Sequence, residues 1–234
     1  MYDSQYEEPY WKLYHILTKK LIEGLLLKYS RKSPLKILDL GSGTGLWMEY
    51  FLERGDEVTC LEPSKKTSAS VNAICEKILF EEQSFDILNA QGDVFSYSLD
   101  LSRAVSESYR VLKPGGVLIG SVDNLFAFLN DAVCVADFET FKKIVKTKKS
   151  QIGNSGVSQR TFETNPFTPD ALERLLSNNH FEDIEIGGKI VFGPYEEEVI
   201  IEKIAEIAAK YAYIKELTGK AERLHFSARK PLYK

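Results

Sequence analysis

Cysteine and long apolar runs are both scarce in this 234-residue sequence. Its three cysteines, Cys60, Cys75 and Cys134, are odd in number and form no C-x-x-C pair, so neither a disulfide framework nor a metal site is predicted. No apolar run approaches the roughly 20 residues of a membrane-spanning helix, and the polar, aromatic N-terminus is unlike a signal peptide. We therefore expect no membrane span and a reducing, cytoplasmic location.

Positive charge is also in short supply. The 30 Lys and Arg residues are outnumbered by 34 Asp and Glu residues, for a net charge of −4. This balance argues against a broad nucleic-acid or anionic-membrane surface. One local exception is the lysine cluster at 142–149, which we interpret as a solvated helix face, with an anionic acceptor as the alternative. The apolar fraction of 44% is enough for the core of one domain spanning 1–234.

Two familiar phosphate-binding signatures are missing from the glycine-rich stretch near the N-terminus. Gly41, Gly43 and Gly45 alternate after an apolar run at 35–40, and a helical pattern begins at Leu46. The G-x-G-x-x-G fingerprint of dinucleotide sites would need glycine where Leu46 stands. No Lys-Ser or Lys-Thr follows at P-loop spacing. The stretch predicts a strand, a glycine turn that a ligand can approach closely, and a helix start with free N–H groups.

Two acids accompany this turn. Asp39 precedes the glycines, and Glu62 ends the next strand-like run, 21 residues after Gly41. This is about the sequence separation at which an acidic residue binds a ribose hydroxyl in nucleotide-binding α/β folds. The two carboxylates, and the lack of a phosphate-binding lysine, favour one kind of ligand. They favour an adenosine that carries a positive charge, and they disfavour a polyphosphate.

Four stretches in order resemble the class I S-adenosylmethionine-dependent methyltransferases, loosely the ubiquinone and menaquinone biosynthesis branch. They are 39–45 (Asp-Leu-Gly-Ser-Gly-Thr-Gly), 62–64 (Glu-Pro-Ser), 85–93 (Phe-Asp-Ile-Leu through Gln-Gly-Asp) and 109–116 (Tyr-Arg-Val-Leu-Lys-Pro-Gly-Gly). The resemblance covers roughly residues 1–125 and concerns the fold alone beyond that.

The resemblance implies an α/β fold, with a doubly wound, mostly parallel seven-stranded sheet, an antiparallel last strand and helices on both faces. The predicted strands are 35–40, 58–61, 71–75, 85–90, 117–122, 181–186 and 223–228. The predicted helices are 12–29, 46–54, 101–112, 169–178 and 195–217. Only 24 residues separate Glu62 from Asp86, so the second crossover helix is predicted to be shortened within 63–70. This would leave a sheet edge thinly covered, which a second subunit could cover in a homodimer. Residues 123–167 are predicted to be an acceptor-covering insertion, and the alternative is that their apolar residues form a small satellite core.

The resemblance also implies the residues that bind S-adenosyl-L-methionine. They are Tyr6, Tyr10, Asp39, Gly41, Ser42, Gly43, Gly45, Glu62, Pro63, Glu76, Gln91 and Gly92. Asp39 would orient the donor's ammonium, Glu62 would accept from the ribose, and Glu76 would lie near the adenine. Gln91 and Gly92 would line the methyl group. A tyrosine ring such as that of Tyr6 or Tyr10 can attract a sulfonium cation by about 0.5–2 kcal/mol.

Methyl transfer from a sulfonium is an in-line displacement with a neutral leaving group, so alignment and exclusion of water matter most. Asp93 is the candidate for a catalytic base, and its alternative interpretation is a turn or helix N-cap residue. The signatures of adenine-N and cytosine methylation are absent. The leading hypothesis is a methyltransferase that acts on a small-molecule acceptor. A non-catalytic donor-binding module or partner subunit, and a protein methyltransferase, are the alternatives.

Overall fold

The computed structural model describes residues 8–29, 33–63, 70–71, 73–153, 161–191 and 200–232. The chain divides into two compact units. The first comprises Met1–Ser30, Asp123–Pro169 and Ile186–Leu224, and the second comprises Arg31–Val122, Asp170–Glu185 and His225–Lys234. The insertion expected at 123–167 falls in the first unit. The organisation of the chain as a single domain stays a prediction.

Helices and strands occur in both units of the chain. The helices are α1 (Pro9–Lys28), α2 (Leu46–Glu53), α3 (Leu101–Val111), α4 (Leu125–Cys134), α5 (Phe138–Thr147), α6 (Pro169–Asn178), α7 (Ile201–Tyr211) and α8 (Lys215–Thr218). The strands are β1 (Lys36–Leu40), β2 (Glu57–Leu61), β3 (Ser70–Val71), β4 (Phe85–Ala90), β5 (Leu112–Asp123), β6 (Ser150–Ile152), β7 (Phe162–Thr164), β8 (Glu182–Lys189) and β9 (Arg223–Arg229).

Seven of these strands form one sheet in the order β3-β2-β1-β4-β5-β9-β8. The pairs from β3 through β5 are parallel. Strand β9 is antiparallel to β5, because the start of β5 is hydrogen-bonded to the end of β9 and the end of β5 is hydrogen-bonded to the start of β9. Gly115 and Gly116 exchange hydrogen bonds with Lys230, whereas the Asn124 N–H donates to the Glu222 carbonyl. The predicted mostly parallel α/β sheet with an antiparallel last strand is therefore confirmed.

The order of the strands reverses at β1, which lies between β2 and β4. In register, Leu40 pairs with Leu61 on one side, and Asp39 pairs with Asn89 on the other. The carboxyl ends of the three strands thus meet at one edge of the sheet. In open α/β sheets ligands bind beyond such a switch point.

Two predicted strands differ from the observed ones by four or five residues at one end. The third strand is Ser70–Val71 rather than 71–75, because the chain turns after it and the Ile78 N–H donates to Glu107 instead of a sheet neighbour. The fifth strand starts at Leu112 rather than 117. Leu112 pairs with Phe85 and Val117 pairs with Ile87, so the predicted turn at 113–116 is a bulge within the strand. The predicted shortened helix lies mostly outside the described residues.

Two predicted helices also change at their ends. The first begins at Pro9 rather than residue 12, since proline is well suited to the first helical position. The helix predicted at 195–217 is not one unbroken helix, and its first residues, 195–199, lie outside the described part of the chain. Helix α7 ends at Tyr211 and α8 begins at Lys215, and the break leaves the Ala212 carbonyl to accept from the Gly188 N–H at 2.7 Å.

Candidate functional site

The turn after β1 has the conformation that its three glycines allow. Gly41, Gly43 and Gly45 have φ values of +66°, +53° and +95°, a region that L side chains rarely adopt. The Gly41 N–H donates to the Leu61 carbonyl at 2.7 Å, which ties the turn to the end of β2. Gly45 is the N-cap of α2, and its carbonyl accepts from the Glu49 N–H at 2.9 Å. The predicted strand, turn and helix start are therefore confirmed.

Gly41 is the glycine with the tightest surroundings in this turn, which gives a first prediction. A Cβ there would lie 2.7 Å from Val94 Cγ2, in addition to the strain of a positive φ. We expect Gly41→Ala to cost about 2 kcal/mol or more of unfolding free energy. Gly55→Ala is the matched control, because Gly55 has φ +85° but no heavy atom near its Cβ, so only about 1 kcal/mol is expected. Urea denaturation measures both costs, and equal costs would contradict the close packing.

Glu62 faces the glycine turn from the neighbouring strand end. Its Oε2 accepts from the Gly43 N–H at 3.0 Å, and its side chain is buried. Glu62 also lines a cavity of about 730 Å³, together with Gly41 and Gly92. The predicted ribose-binding acid is therefore turned towards the cavity rather than away from it. This size is within the usual range for small-molecule sites.

The cavity lies in the second unit, beyond the carboxyl ends of β1, β2 and β4. Its lining residues are Gly41, Leu61, Glu62, Pro63, Ile74, Cys75, Glu76, Lys77, Gly92, Val94, Tyr97, Ser98, Leu99, Asp100 and Arg103. Five of the predicted donor-binding residues are thus brought together: Gly41, Glu62, Pro63, Glu76 and Gly92. The Cβ of a residue replacing Gly92 would meet no heavy atom within 4 Å, so this position leaves open space for a ligand.

Three buried polar side chains at the ends of β1 and β4 have unused hydrogen-bonding atoms. Asn89 Nδ2 donates to Asp39 Oδ1 at 2.8 Å. Within the described parts of the chain, Asp39 Oδ2, Asn89 Oδ1 and both amide atoms of Gln91 have no hydrogen-bond partner. Buried polar atoms normally have partners. An amino-acid moiety with an ammonium and a carboxylate would supply both an acceptor and donors here, so these residues fit the methionine end of S-adenosyl-L-methionine.

The environment of Asp39 changes its acidity. Burial raises its pKa to about 7, the charge of Glu62 acts in the same direction, and the hydrogen bond from Asn89 opposes them. The carboxylate is thus costly to ionise while no cation is near. A positively charged ligand would hold it in its ionised form.

Glu76 lines the cavity, but its carboxylate is engaged by the chain itself. Oε1 accepts from Ser98 Oγ at 2.7 Å and from the Leu99 N–H at 2.8 Å. Burial acts to raise the pKa of Glu76, but these hydrogen bonds outweigh it and hold the pKa below its usual value. The side chain therefore ties the segment 97–100 against the cavity. Its contact with adenine stays a prediction.

This arrangement of Glu76 gives a second prediction. Replacing Glu76 by alanine removes the acceptor of the Leu99 N–H, so we expect faster hydrogen exchange at Leu99 and a loss of about 1 kcal/mol of stability at neutral pH. Because the folded-state pKa is lowered, the wild-type advantage should disappear as the pH falls through that pKa. Exposed Glu81→Ala is the matched control. Weakened donor binding with unchanged Leu99 exchange would instead favour a direct adenine contact.

The other predicted residues lie in varied places. Ser42 is buried, and its carbonyl accepts from the Gly45 N–H at 2.8 Å. Tyr10 belongs to the first unit, where its hydroxyl donates to Glu222 Oε1 at 2.6 Å, and burial raises its pKa. Tyr6 lies outside the described residues. Donor contacts of both tyrosines stay predictions.

Asp93, the candidate base, is buried between Gly92 and Val94. It has a φ of +62°, and its carbonyl accepts from the Ser96 N–H at 2.8 Å. Its side chain makes no helix-capping hydrogen bond to the short 3₁₀ helix Val94–Tyr97. Asp93 therefore lies in a turn and at the N-cap position of this short helix, as its alternative interpretation states, although its side chain does not cap the helix. Its role as a base stays a prediction.

Several cavity residues were not among the sequence-predicted ones. Val94, Tyr97, Leu99 and Arg103 come from the segment after Asp93. The sequence does contain one signal for this segment. Gly92 and Asp93 are residue types that adopt the left-handed conformation, and both do so here, which turns the chain back over the strand ends. Ile74 gives no such signal, since an isolated isoleucine resembles a core residue in the sequence.

Comparisons with known proteins agree with this architecture. Residues 38–120 match the family model described as a methyltransferase domain. Malonyl-[acyl-carrier protein] O-methyltransferase of Salmonella typhimurium is 31% identical over 125 residues, which are 49% of this chain and 47% of that protein. Ubiquinone biosynthesis O-methyltransferase of Bradyrhizobium is 27% identical over 177 residues, which are 70% of this chain and 64% of that protein. The chain spans about half the length of the malonyl-type relatives that it matches.

Solved structures of low sequence identity share the fold. A methyltransferase of Methanosarcina mazei has a TM-score of 0.61 at 17% identity, covering 89% of this chain and 97% of that one. The 1,6-didemethyltoxoflavin-N1-methyltransferase of Burkholderia thailandensis, solved with S-adenosylhomocysteine bound, has a TM-score of 0.55 at 17% identity. It covers 94% of this chain and 80% of that one. Residues 38–120 therefore match a methyltransferase domain, the chain has the fold of the S-adenosylmethionine-dependent methyltransferases, and these similarities support S-adenosyl-L-methionine as its cofactor.

Proposed function

We propose that this protein transfers the methyl group of S-adenosyl-L-methionine to a small-molecule acceptor by in-line displacement. The observation that carries the proposal is the cavity at the switch point. Gly41, Glu62 and Gly92 line it together, although they come from three different strand ends. A glycine turn without a phosphate-binding lysine, next to a carboxylate, suits a cationic nucleoside.

The residues of this chain would bind and orient rather than react. Glu62 would accept from the ribose hydroxyls while it keeps the Gly43 N–H in place. Asp39 and Gln91 would hold the amino-acid end, where their polar atoms are otherwise unused. When bound, the donor supplies the methyl group and a neutral thioether leaving group, so no acid is needed to assist departure. The segment 97–100 would exclude water from the nucleoside end.

Two relatives support an acceptor with an oxygen nucleophile, since both are named O-methyltransferases. The name of one gives a malonyl group on an acyl-carrier protein, and that of the other gives ubiquinone biosynthesis, which supports a small acceptor. A homodimer and a cytoplasmic location stay predictions.

Transfer of a labelled methyl group tests this proposal. The protein is incubated with methyl-labelled donor and cell extract, and the label is then followed into organic extract and into protein bands. We expect label in the organic extract, and much less with Glu62→Gln than with the exposed control Glu53→Gln. Label in protein bands would instead favour a protein methyltransferase. Donor binding without any transfer would favour a non-catalytic module.

A further inference from the structure

Helices α4 and α5 of the first unit carry apolar side chains that the described chain leaves exposed. Helix α4 has the sequence LFAFLNDAVC, yet only Leu125 and Ala132 of it are buried. The exposed large apolar residues of the two helices and their connection are Phe126 (45%), Val133 (49%), Val135 (74%), Phe138 (58%) and Val145 (43%). Groups of exposed apolar side chains mark interaction surfaces more often than single ones do. We call residues 125–149 the hairpin.

The hairpin is also a basic region on an acidic protein. Its five lysines are Lys142, Lys143, Lys146, Lys148 and Lys149, against three acids, Asp131, Asp137 and Glu139, whereas the whole chain has a net charge of −4. Exposed Lys142 pairs with Glu139 at 2.8 Å, and Lys149 pairs with Glu163. Within the described parts of the chain, Lys143, Lys146 and Lys148 have no ion pair. Positive charge and exposed apolar side chains therefore occur together.

We propose that the hairpin docks the protein on the surface of an anionic lipid bilayer. Phenylalanine and valine side chains would enter the boundary between headgroups and acyl chains, and lysines would contact the anionic headgroups. Each helix has ten residues and is about 15 Å long, which suits an orientation along the surface. No helix in the described part of the chain has the length and apolarity to cross a membrane.

A lipid surface fits this hairpin better than a folded protein partner does. The two short helices carry exposed apolar and basic side chains, and a folded partner would need a surface that matches both. A bilayer needs no matching shape, only apolar depth and negative charge. Docking does not depend on methyl transfer. It would, however, bring the protein to acceptors that dissolve in the bilayer.

Co-sedimentation of the full chain with lipid vesicles tests the proposal. We expect binding to vesicles of phosphatidylglycerol and phosphatidylcholine and none to phosphatidylcholine alone. The triple variant K143Q/K146Q/K148Q should lower the partition coefficient by about tenfold or more at low salt, because each lysine near an anionic surface adds to the attraction. The matched control K203Q/K215Q/K220Q removes the same charge from exposed positions of the same unit outside the hairpin, and should bind nearly as the wild type does.

The variant F126S/F138S tests the apolar part, because both side chains are about half exposed and their loss should leave the fold intact. It should retain salt-sensitive binding and lose the fraction that resists high salt. Equal partitioning of the lysine triple variant and its control would overturn the proposal, and so would the absence of wild-type binding to anionic vesicles. A dimer that F126S/F138S converts to a monomer, without any vesicle binding, would also overturn it and assign the hairpin to self-association. Titration of each variant with S-adenosyl-L-methionine measures donor binding separately. A failure of the docking proposal can thus be distinguished from a failure of the proposed methyl transfer.

Discussion

Replacing Glu62 by glutamine will weaken the binding of S-adenosyl-L-methionine by about 10- to 100-fold, the cost of losing hydrogen bonds to a charged acceptor. The side chain lines the cavity and accepts from the Gly43 N–H at 3.0 Å. Glutamine keeps one oxygen for that N–H, so the glycine turn should persist. What glutamine loses is the negative charge and the second acceptor that a ribose would use.

Isothermal titration with the donor and with S-adenosylhomocysteine separates two explanations for such a loss. The ribose is common to both ligands, whereas the positive sulfur belongs to the donor alone. We therefore expect Glu62→Gln to weaken both by a similar factor, with a melting temperature near that of the wild type. Glu53→Gln, on the exposed face of α2, is the control. Weakening of the donor alone would assign Glu62 to the sulfonium instead.

Replacing Asp39 by asparagine will make the ligand-free protein more stable and the donor-bound complex weaker. Burial raises the pKa of Asp39 from 3.8 to about 7. One pKa unit corresponds to about 1.4 kcal/mol, so ionisation of this side chain destabilises the folded state by several kcal/mol. Asparagine avoids that cost and keeps an oxygen for the Asn89 amide. We expect a gain on the order of 2 kcal/mol at pH 8, together with a loss of about tenfold or more in donor affinity.

The stability difference between the wild type and Asp39→Asn should depend on pH, with a definite sign. Because the folded-state pKa is raised above the unfolded value, the folded wild type binds more protons between about pH 4 and 7. Its stability therefore falls relative to Asp39→Asn as the pH rises through that range, and the difference becomes constant above pH 7. Conversely, wild-type donor affinity should fall below pH 7, whereas that of the variant should stay flat.

Asp56 provides the matched control for Asp39. It is also buried, but its Oδ2 lies 2.9 Å from Arg54 Nε and its Oδ1 accepts from the Leu35 N–H. Asp56→Asn breaks an ion pair, so it should destabilise the protein and leave donor binding unchanged. Urea denaturation at pH 5 and pH 8 measures both variants. If the unfolding free energies of the wild type and Asp39→Asn changed equally between the two pH values, ionisation of Asp39 would not destabilise the folded state.

The part of the fold nearest the donor cavity could be predicted from the sequence because its signals are local. The apolar run of β1, the glycines at 41, 43 and 45, and the acid at the end of β2 each require a particular backbone conformation. The fourth strand has the predicted bounds, Phe85–Ala90, since both of its ends are set by polar or turn residues. Such signals depend on a few neighbouring residues and not on tertiary packing.

The remaining features depend on contacts that are distant in sequence. The bulge at 113–116 arises because β5 pairs with β4 at both Phe85 and Ile87. The break after Tyr211 is coupled to Gly188 through the Ala212 carbonyl. Glu76 was expected to face adenine, but Ser98 and Leu99, 22 and 23 residues later, bond its carboxylate. The periodicity of apolar residues in the sequence does not indicate which distant residues form these hydrogen bonds.

Titration of this 234-residue chain with S-adenosyl-L-methionine tests the central claim most directly. The account predicts one binding site per chain, competition by S-adenosylhomocysteine, and affinity that falls as Asp39 becomes protonated below pH 7. If millimolar donor produced no heat and no shift in melting temperature at pH 8, the cavity beside Gly41 and Glu62 would not be a donor site.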